Sequence, residues 1–279
     1  MFLGIDIGGH GIKGGLLHGD HLLKTHRISI SGQEDVKLFL EKVKSFVSLF
    51  ESHTLRAIGI GIPGIVDPEA GIVYNIQNIP LLKEVHLKET LELAFGIPVF
   101  VNNDANCFVL GENYFGVGKQ YANFLGVTLG TGLGTGIIIK NHLYSGVLCG
   151  AGEIGILPYK NGIIEQYTGS FFFKKHGTTG AIAYQQALEN DQKALAIFRE
   201  YGEHLGNVIS IILHVYAPEA IVLGGAIAKA FPFFESSMNQ KLATFPFQKQ
   251  LSNFNVHTSE QANMGILGAA ALCIEFTES

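Results

Sequence analysis

Cysteine is scarce in this chain: Cys107, Cys149 and Cys273 are odd in number and widely spaced, which argues against both a disulfide framework and a Cys-x-x-Cys metal site. They read as core thiols. Charged residues make up only 15% of the chain against 47% apolar ones, a composition that excludes long disordered tails and allows a large core. The scattered lysines and arginines leave a net charge of −5 and no basic stripe able to follow a phosphate backbone, so direct nucleic-acid binding is not expected. No charge-free apolar run is long enough to span a bilayer, the nearest lying around Val208 to Leu213. A basic segment ahead of an apolar one is also missing at the start, where Asp6 and the glycines after it interrupt any signal-peptide pattern. The expectation is a cytoplasmic protein with no membrane or nucleic-acid partner.

What the chain has in quantity is glycine, and it has it in a repeat. "FLGIDIGGHGIKGGLL" at residues 2–17 returns as "FLGVTLGTGLGTGIII" at residues 124–139, with Phe2, Leu3, Gly4, Gly8 and Gly14 matching Phe124, Leu125, Gly126, Gly130 and Gly136. Thr128 stands where Asp6 stands. Each copy reads as a strand, a glycine turn and a returning strand. After the first copy, Val36, Phe39, Leu40, Val43, Phe46, Val47 and Phe50 fall at helical spacing. "LRAIGIGIPG" reads as a strand, and "IPVFVNNDANCFVLGENYF" as a strand that turns at Asn103-Asp104 into a helix. The second half repeats the plan: a hairpin around Leu129 to Ile139, a helix from Asp191 to Tyr216, the strand "AIVL" running into Gly224-Gly225, and a closing amphipathic helix, "NMGILGAAALCIEF". This is an α/β pattern, and 279 residues accommodate two lobes built on one plan.

A glycine turn can aim several backbone N–H groups at one anion, and it can equally be a plain tight hairpin. The duplication favours a polyphosphate site made of Gly8 and Gly9 in one turn, Gly130, Thr131 and Gly132 in the other, and Gly224 and Gly225 after a third strand. Asp6 suits Mg²⁺. Lys13 is placed to neutralise phosphate charge, and solvated turn residues are the plainer reading of both.

On these segments the chain resembles sugar kinases of the ROK family (repressor, open reading frame, kinase) in the actin-like ATPase superfamily. The motifs are "GIDIGGHGIKGG", "GIGIPGIVD", "VNNDANCFVLGE", "GVTLGTGLGTGI", "GAGEIG" and "IVLGG", in order over nearly the whole chain. The resemblance implies an α/β fold of two RNase H-like lobes hinged around a central cleft: residues 1–117 joined by a C-terminal helix at 263–279, and residues 118–262. It implies Asp104 as general base, with Asn78, Asn103, Asp104, Glu153 and Glu165 on the sugar. It brings ATP and Mg²⁺ as cofactors, a small sugar as partner, and a homodimer. The activity it implies is phosphorylation of a hexose, glucose first, at the 6-hydroxyl.

Two departures bear on that reading. Ile156 replaces a histidine that touches sugar in many members, and no cysteine lies between Cys149 and Cys273, so the usual structural zinc site has no ligands and no zinc is expected. His10 replaces a usual Thr or Ser, and "GIKGG" resembles polyphosphate-dependent glucokinases. The alternatives are thus a catalytically weak sugar-binding regulator without a DNA-binding module, since the hairpin starts at residue 2, or a polyphosphate-dependent hexokinase.

Overall fold

The computed structural model describes residues 1–9, 11–30, 35–50, 54–76 and 81–277. The first half runs β1 (Phe2–Gly8), β2 (Gly11–His18), β3 (His21–Ser29), α1 (Val36–Ser48), β4 (Ala57–Ile62), β5 (Ile65–Asp67), β6 (Ile72–Tyr74), β7 (Glu84–His86), α2 (Leu87–Phe95), β8 (Val99–Asn103) and α3 (Asp104–Phe115). The main sheet has the order β3-β2-β1-β4-β8. β1 and β2 form the antiparallel hairpin read from the sequence, and β4 and β8 add parallel strands. Asp35 caps α1 by accepting the Leu38 N–H at 2.8 Å, and Phe39, Val43, Phe46 and Val47 bury the face expected from their spacing.

The second half runs β9 (Phe124–Leu129), β10 (Leu133–Ile139), β11 (His142–Leu143), β12 (Pro158–Tyr159), β13 (Gly162–Ile163), α4 (Glu165–Thr168), α5 (Ser170–Lys175), α6 (Gly180–Leu188), α7 (Gln192–Tyr216), β14 (Ala220–Gly224), α8 (Phe231–Leu242), α9 (Gln248–Leu251), β15 (Asn255–Thr258) and α10 (Met264–Thr277). Its sheet, β11-β10-β9-β14-β15, follows the plan of the first: a hairpin with a third strand outside it, then two strands beyond, parallel to its first strand. The sequence repeat is therefore a repeat of topology. Contacts divide the chain into one unit of Met1–Lys119, Gly136–Ala151 and Glu260–Ser279, and another of Gln120–Thr135 and Gly152–Ser259.

The closing helix corrects one expectation. α10 is not amphipathic in use, because Ile266, Leu267, Ala269, Ala270, Ala271, Leu272 and Cys273 are all buried around its circumference. Glycines make this fit: a β-carbon at Gly4 of β1 would overlap the Ile266 carbonyl, and one at Gly59 of β4 the Ala269 carbonyl. α3 covers the opposite side, where Gly268 meets the Cys107 carbonyl at backbone range. The "FFFKK" run is α5, in which Phe172 and Phe173 are buried and Phe171 is 44% exposed, since successive helical residues turn by about 100° and three in a row cannot share one face.

Candidate active site

In the first unit, Asp6 pairs across the hairpin with Lys13 and, on its other side, with Gly61 of β4. Its carboxylate lies against Gly265, at the start of α10, where a β-carbon would sit 3.2 Å from Oδ2. Burial pushes the Asp6 carboxyl above its ordinary pKa, and Lys13 opposes that rise. Gly8 closes β1 and faces Gly11 across the turn, next to Gly9. Lys13 is exposed. His10 and Asn78 lie outside the described residues.

The β8–α3 junction is fixed by amides. Asn103 is the helix cap: its Oδ1 accepts the Ala105 N–H at 2.9 Å while its Nδ2 donates to the Gly64 carbonyl at 3.2 Å. Asp104 is thus the first helical residue, and its Oδ1 shares the Ala105 N–H at 2.9 Å. A carboxylate there is favoured by the partial positive charge of the helix start. Beneath it, Asn102 is buried, and its Oδ1 accepts from the Asn103 N–H at 2.8 Å, Asn106 Nδ2 at 2.9 Å and the Cys149 thiol at 3.1 Å. Asn102 stands in the motif "VNNDANCFVLGE", but only the fold shows what its amide does. Asp104 and Asp6 both act on Cys107, whose thiol is raised well above its usual range by burial first and then by these two carboxylates.

In the second unit, the turn between β9 and β10 is tied down by its own backbone and by α5. The Gly130 N–H donates to the Gly132 carbonyl at 3.1 Å, and Ser170 N–H donates to the carbonyls of Gly130 and Thr131 at 2.9 and 3.1 Å. Gly225 has φ of +86° and approaches the Leu129 backbone so closely that a β-carbon would sit 2.9 Å from its nitrogen, so the fold requires this glycine with or without a ligand. Gly224, the last residue of β14, pairs with Thr128. Beside the turn opens a cavity of about 610 Å³, within the size range of small-molecule sites. Gly130, Thr131 and Ser170 form one part of its lining; Phe173, Tyr184 and Ile227 form an apolar part, and Lys229 adds a cation. Tyr184, Ile227 and Lys229 carried no motif by which the sequence could have shown them.

Glu153 and Glu165 belong to the same unit: partial desolvation and then the Glu165 carboxylate raise the carboxyl of Glu153, an exposed residue. Glu165 opens α4, and its Oε2 reaches the glycine turn at Gly132. Ile156 is 55% exposed. The stretch after it folds as the β12–β13 hairpin, held by Tyr159, whose hydroxyl lies 3.1 Å from His204 Nδ1 and accepts from Asn207 Nδ2 at 3.0 Å. His204 is buried, and its pKa is lowered by burial and by Lys160, against opposing pulls from Glu200 and Glu203.

Two sheets of one plan, each opened by a glycine-turn hairpin, with an Asn–Asp helix start in one half and a glycine-ended strand in the other, define an α/β protein of the actin-like ATPase fold. The chain belongs to the ROK family, whose model matches residues 2–275. It is similar to a glucokinase of Thermotoga maritima, at 27% identity over 98% of this chain and 97% of that one. A xylose repressor of Bacillus subtilis is 27% identical over 98% of this chain and 77% of its own length. Among solved structures, a ROK family glucokinase from Streptomyces griseus in complex with glucose and AMPPNP superposes with a TM-score of 0.84 at 26% identity, covering 97% of this chain and 98% of that chain.

The metal such a fold implies can be tested on the residues present. Mg²⁺ needs one or two carboxylates and otherwise keeps water and phosphate oxygens. Asp6, a single partly buried carboxylate near the head of the first glycine turn, meets that need; among the described residues no cluster of three His, Cys, Asp or Glu offers a protein cage.

Proposed function

We propose that this protein is an ATP- and Mg²⁺-dependent hexose kinase that phosphorylates glucose at its 6-hydroxyl. The observation that carries this is the β8–α3 junction, where Asn103 takes the capping role and so places Asp104 at the helix start as a carboxylate whose position Asn102 and Asn103 fix. Asp104 accepts the proton of the 6-hydroxyl as that oxygen bonds to the γ-phosphorus; the bond from that phosphorus to the β,γ-bridging oxygen breaks, and ADP leaves with the electron pair. Asn78, Asn103, Glu153 and Glu165 hold the remaining sugar hydroxyls. The nucleoside of the donor is assigned to the cavity of Phe173, Tyr184 and Ile227, beside Gly224 and Gly225, and within the same unit the Thr131 and Gly132 N–H groups suit its phosphates; in the other unit Gly8, Gly9 and Lys13 have the chemistry for phosphate. Asp6 would hold Mg²⁺, which would neutralise phosphate charge on the donor. We assign the metal and the base to the lobe of residues 1–117 with 263–279, and the nucleoside cavity and the glutamates to that of 118–262.

The test is ADP release with Mg·ATP against hexoses, aminosugars and N-acetyl sugars, with polyphosphate as a second donor. Asp104→Asn should lower kcat by about 10²- to 10⁴-fold with sugar binding by calorimetry retained, because general-base catalysis is lost and the amide still binds hydroxyls. Turnover that survives the substitution would remove Asp104 from this role. Ile156, exposed where the family resemblance places a histidine, favours a second reading: a sugar-binding regulator, selected by saturable hexose binding without turnover on either donor.

A further inference from the structure

The contact between Glu165 and the second glycine turn points beyond a phosphate role for that turn. A β-carbon on Gly132 would overlap Glu165 Oε2 and come within 3.2 Å of its carboxyl carbon, and one on Gly155 would lie 3.6 Å from the same oxygen. The Glu165 carboxylate therefore rests in a notch that exists because Gly132 has no side chain. Neither backbone is free to yield. Gly169 N–H donates to the Glu165 carbonyl at 2.8 Å, Thr168 Oγ1 to the Ile164 carbonyl at 3.0 Å, and the buried Tyr201 hydroxyl to the Thr168 carbonyl at 2.7 Å. On the other side, Ser170 N–H holds the carbonyls of Gly130 and Thr131. Crowding at Gly132 is thus relieved by the one flexible group present, the Glu165 carboxylate.

We propose that Gly132 is a positioning residue for the sugar: it seats the Glu165 carboxylate, so that a glycine of the phosphate turn sets the affinity for the acceptor hexose. The proposal rests on the reading of Glu165 as a sugar ligand. It also makes the turn and the acid one piece, since α4 and α5 are joined through Gly169 and bound to the turn by Ser170.

The variants are Gly132→Ala and Glu165→Ala, singly and combined. The readouts are calorimetric titrations of glucose and of AMPPNP, with the hexose panel used where glucose does not bind. Displacing a carboxylate that accepts from a sugar hydroxyl should weaken hexose binding about 10- to 100-fold in Gly132→Ala, while AMPPNP still binds and so shows the variant folded. In the Glu165→Ala background Gly132→Ala should have no further effect, because the group it displaces is gone. Hexose affinity unaltered in Gly132→Ala, or weakened equally in both backgrounds, overturns the seat alone. Wild-type protein that binds no hexose of the panel overturns the proposed function and the seat with it.

Discussion

Asn102 is the residue whose loss should reveal how the β8–α3 junction is held. Its Oδ1 takes three donors in a site only 2% exposed. Asn102→Ala removes the oxygen that the Asn103 N–H and Asn106 Nδ2 share and leaves them only the Cys149 sulfur, a poor acceptor, at about 1–3 kcal/mol for each group, while the Cys149 thiol, a weak donor, adds little. A total near 3 kcal/mol would lower Tm by roughly 6–12 °C in a chain of this size. Urea and thermal unfolding measure the loss, with Cys149→Ala as the internal comparison, because it removes only the weakest of the three bonds and should cost about 1 kcal/mol. The same variant should lower kcat, since the Asn103 N–H fixes the turn that carries Asp104. A loss below about 1 kcal/mol in Asn102→Ala, or one no larger than that of Cys149→Ala, would refute the account.

Two further outcomes follow from buried groups. His204 has a folded-state pKa below its ordinary 6.5, so its contribution to stability is fully present above 6.5 and is lost as pH falls through the lowered value, where the unfolded chain takes up the proton first. Unfolding free energies at pH 7.5 and 5.5 should therefore differ less in His204→Gln than in wild type, and an equal difference would remove His204 as a source of acid sensitivity. Gly59→Ala places a β-carbon on the Ala269 carbonyl and must lift α10 from the sheet, which should cost at least about 2 kcal/mol by urea unfolding.

Both hairpins, α1, the β8–α3 turn, α7 and β14 were legible in the sequence because each carries its own local signal: glycine between two apolar runs, 3.6-residue spacing, or a cap residue ahead of a helix. The β5–β6–β7 sheet was not, since three-residue strands give period-two alternation no length in which to show. α10 was legible as a helix but misread as amphipathic, because its burial is decided by Gly4 and Gly59 on other strands. The site divides in the same way. Asp104 and the turn glycines stand in motifs, whereas the Asn102 hydrogen bonds, the Gly132–Glu165 contact and the aromatic cavity wall are made by residues brought together only by folding. Glycine itself was legible, but its use was not: Gly225 supplies a positive φ, and Gly132 supplies room.

The packing of α10 also has a meaning in time. The face of β1 and β4 that receives it is translated first, and the helix that covers that face is translated after every other described element. About 140 residues separate Lys119 from Glu260, so at 5–20 residues per second the face that carries Gly4 and Gly59 waits on the order of ten seconds or more during synthesis for the last layer of its unit. Most of the second unit is spelled out in that interval, including the contacts of Phe198 on α7 with Phe173 and of Tyr201 with Phe234 on α8. A ribosome stalled before residue 264 would therefore hold a chain whose earliest strands are its least finished part, the part most in need of a chaperone.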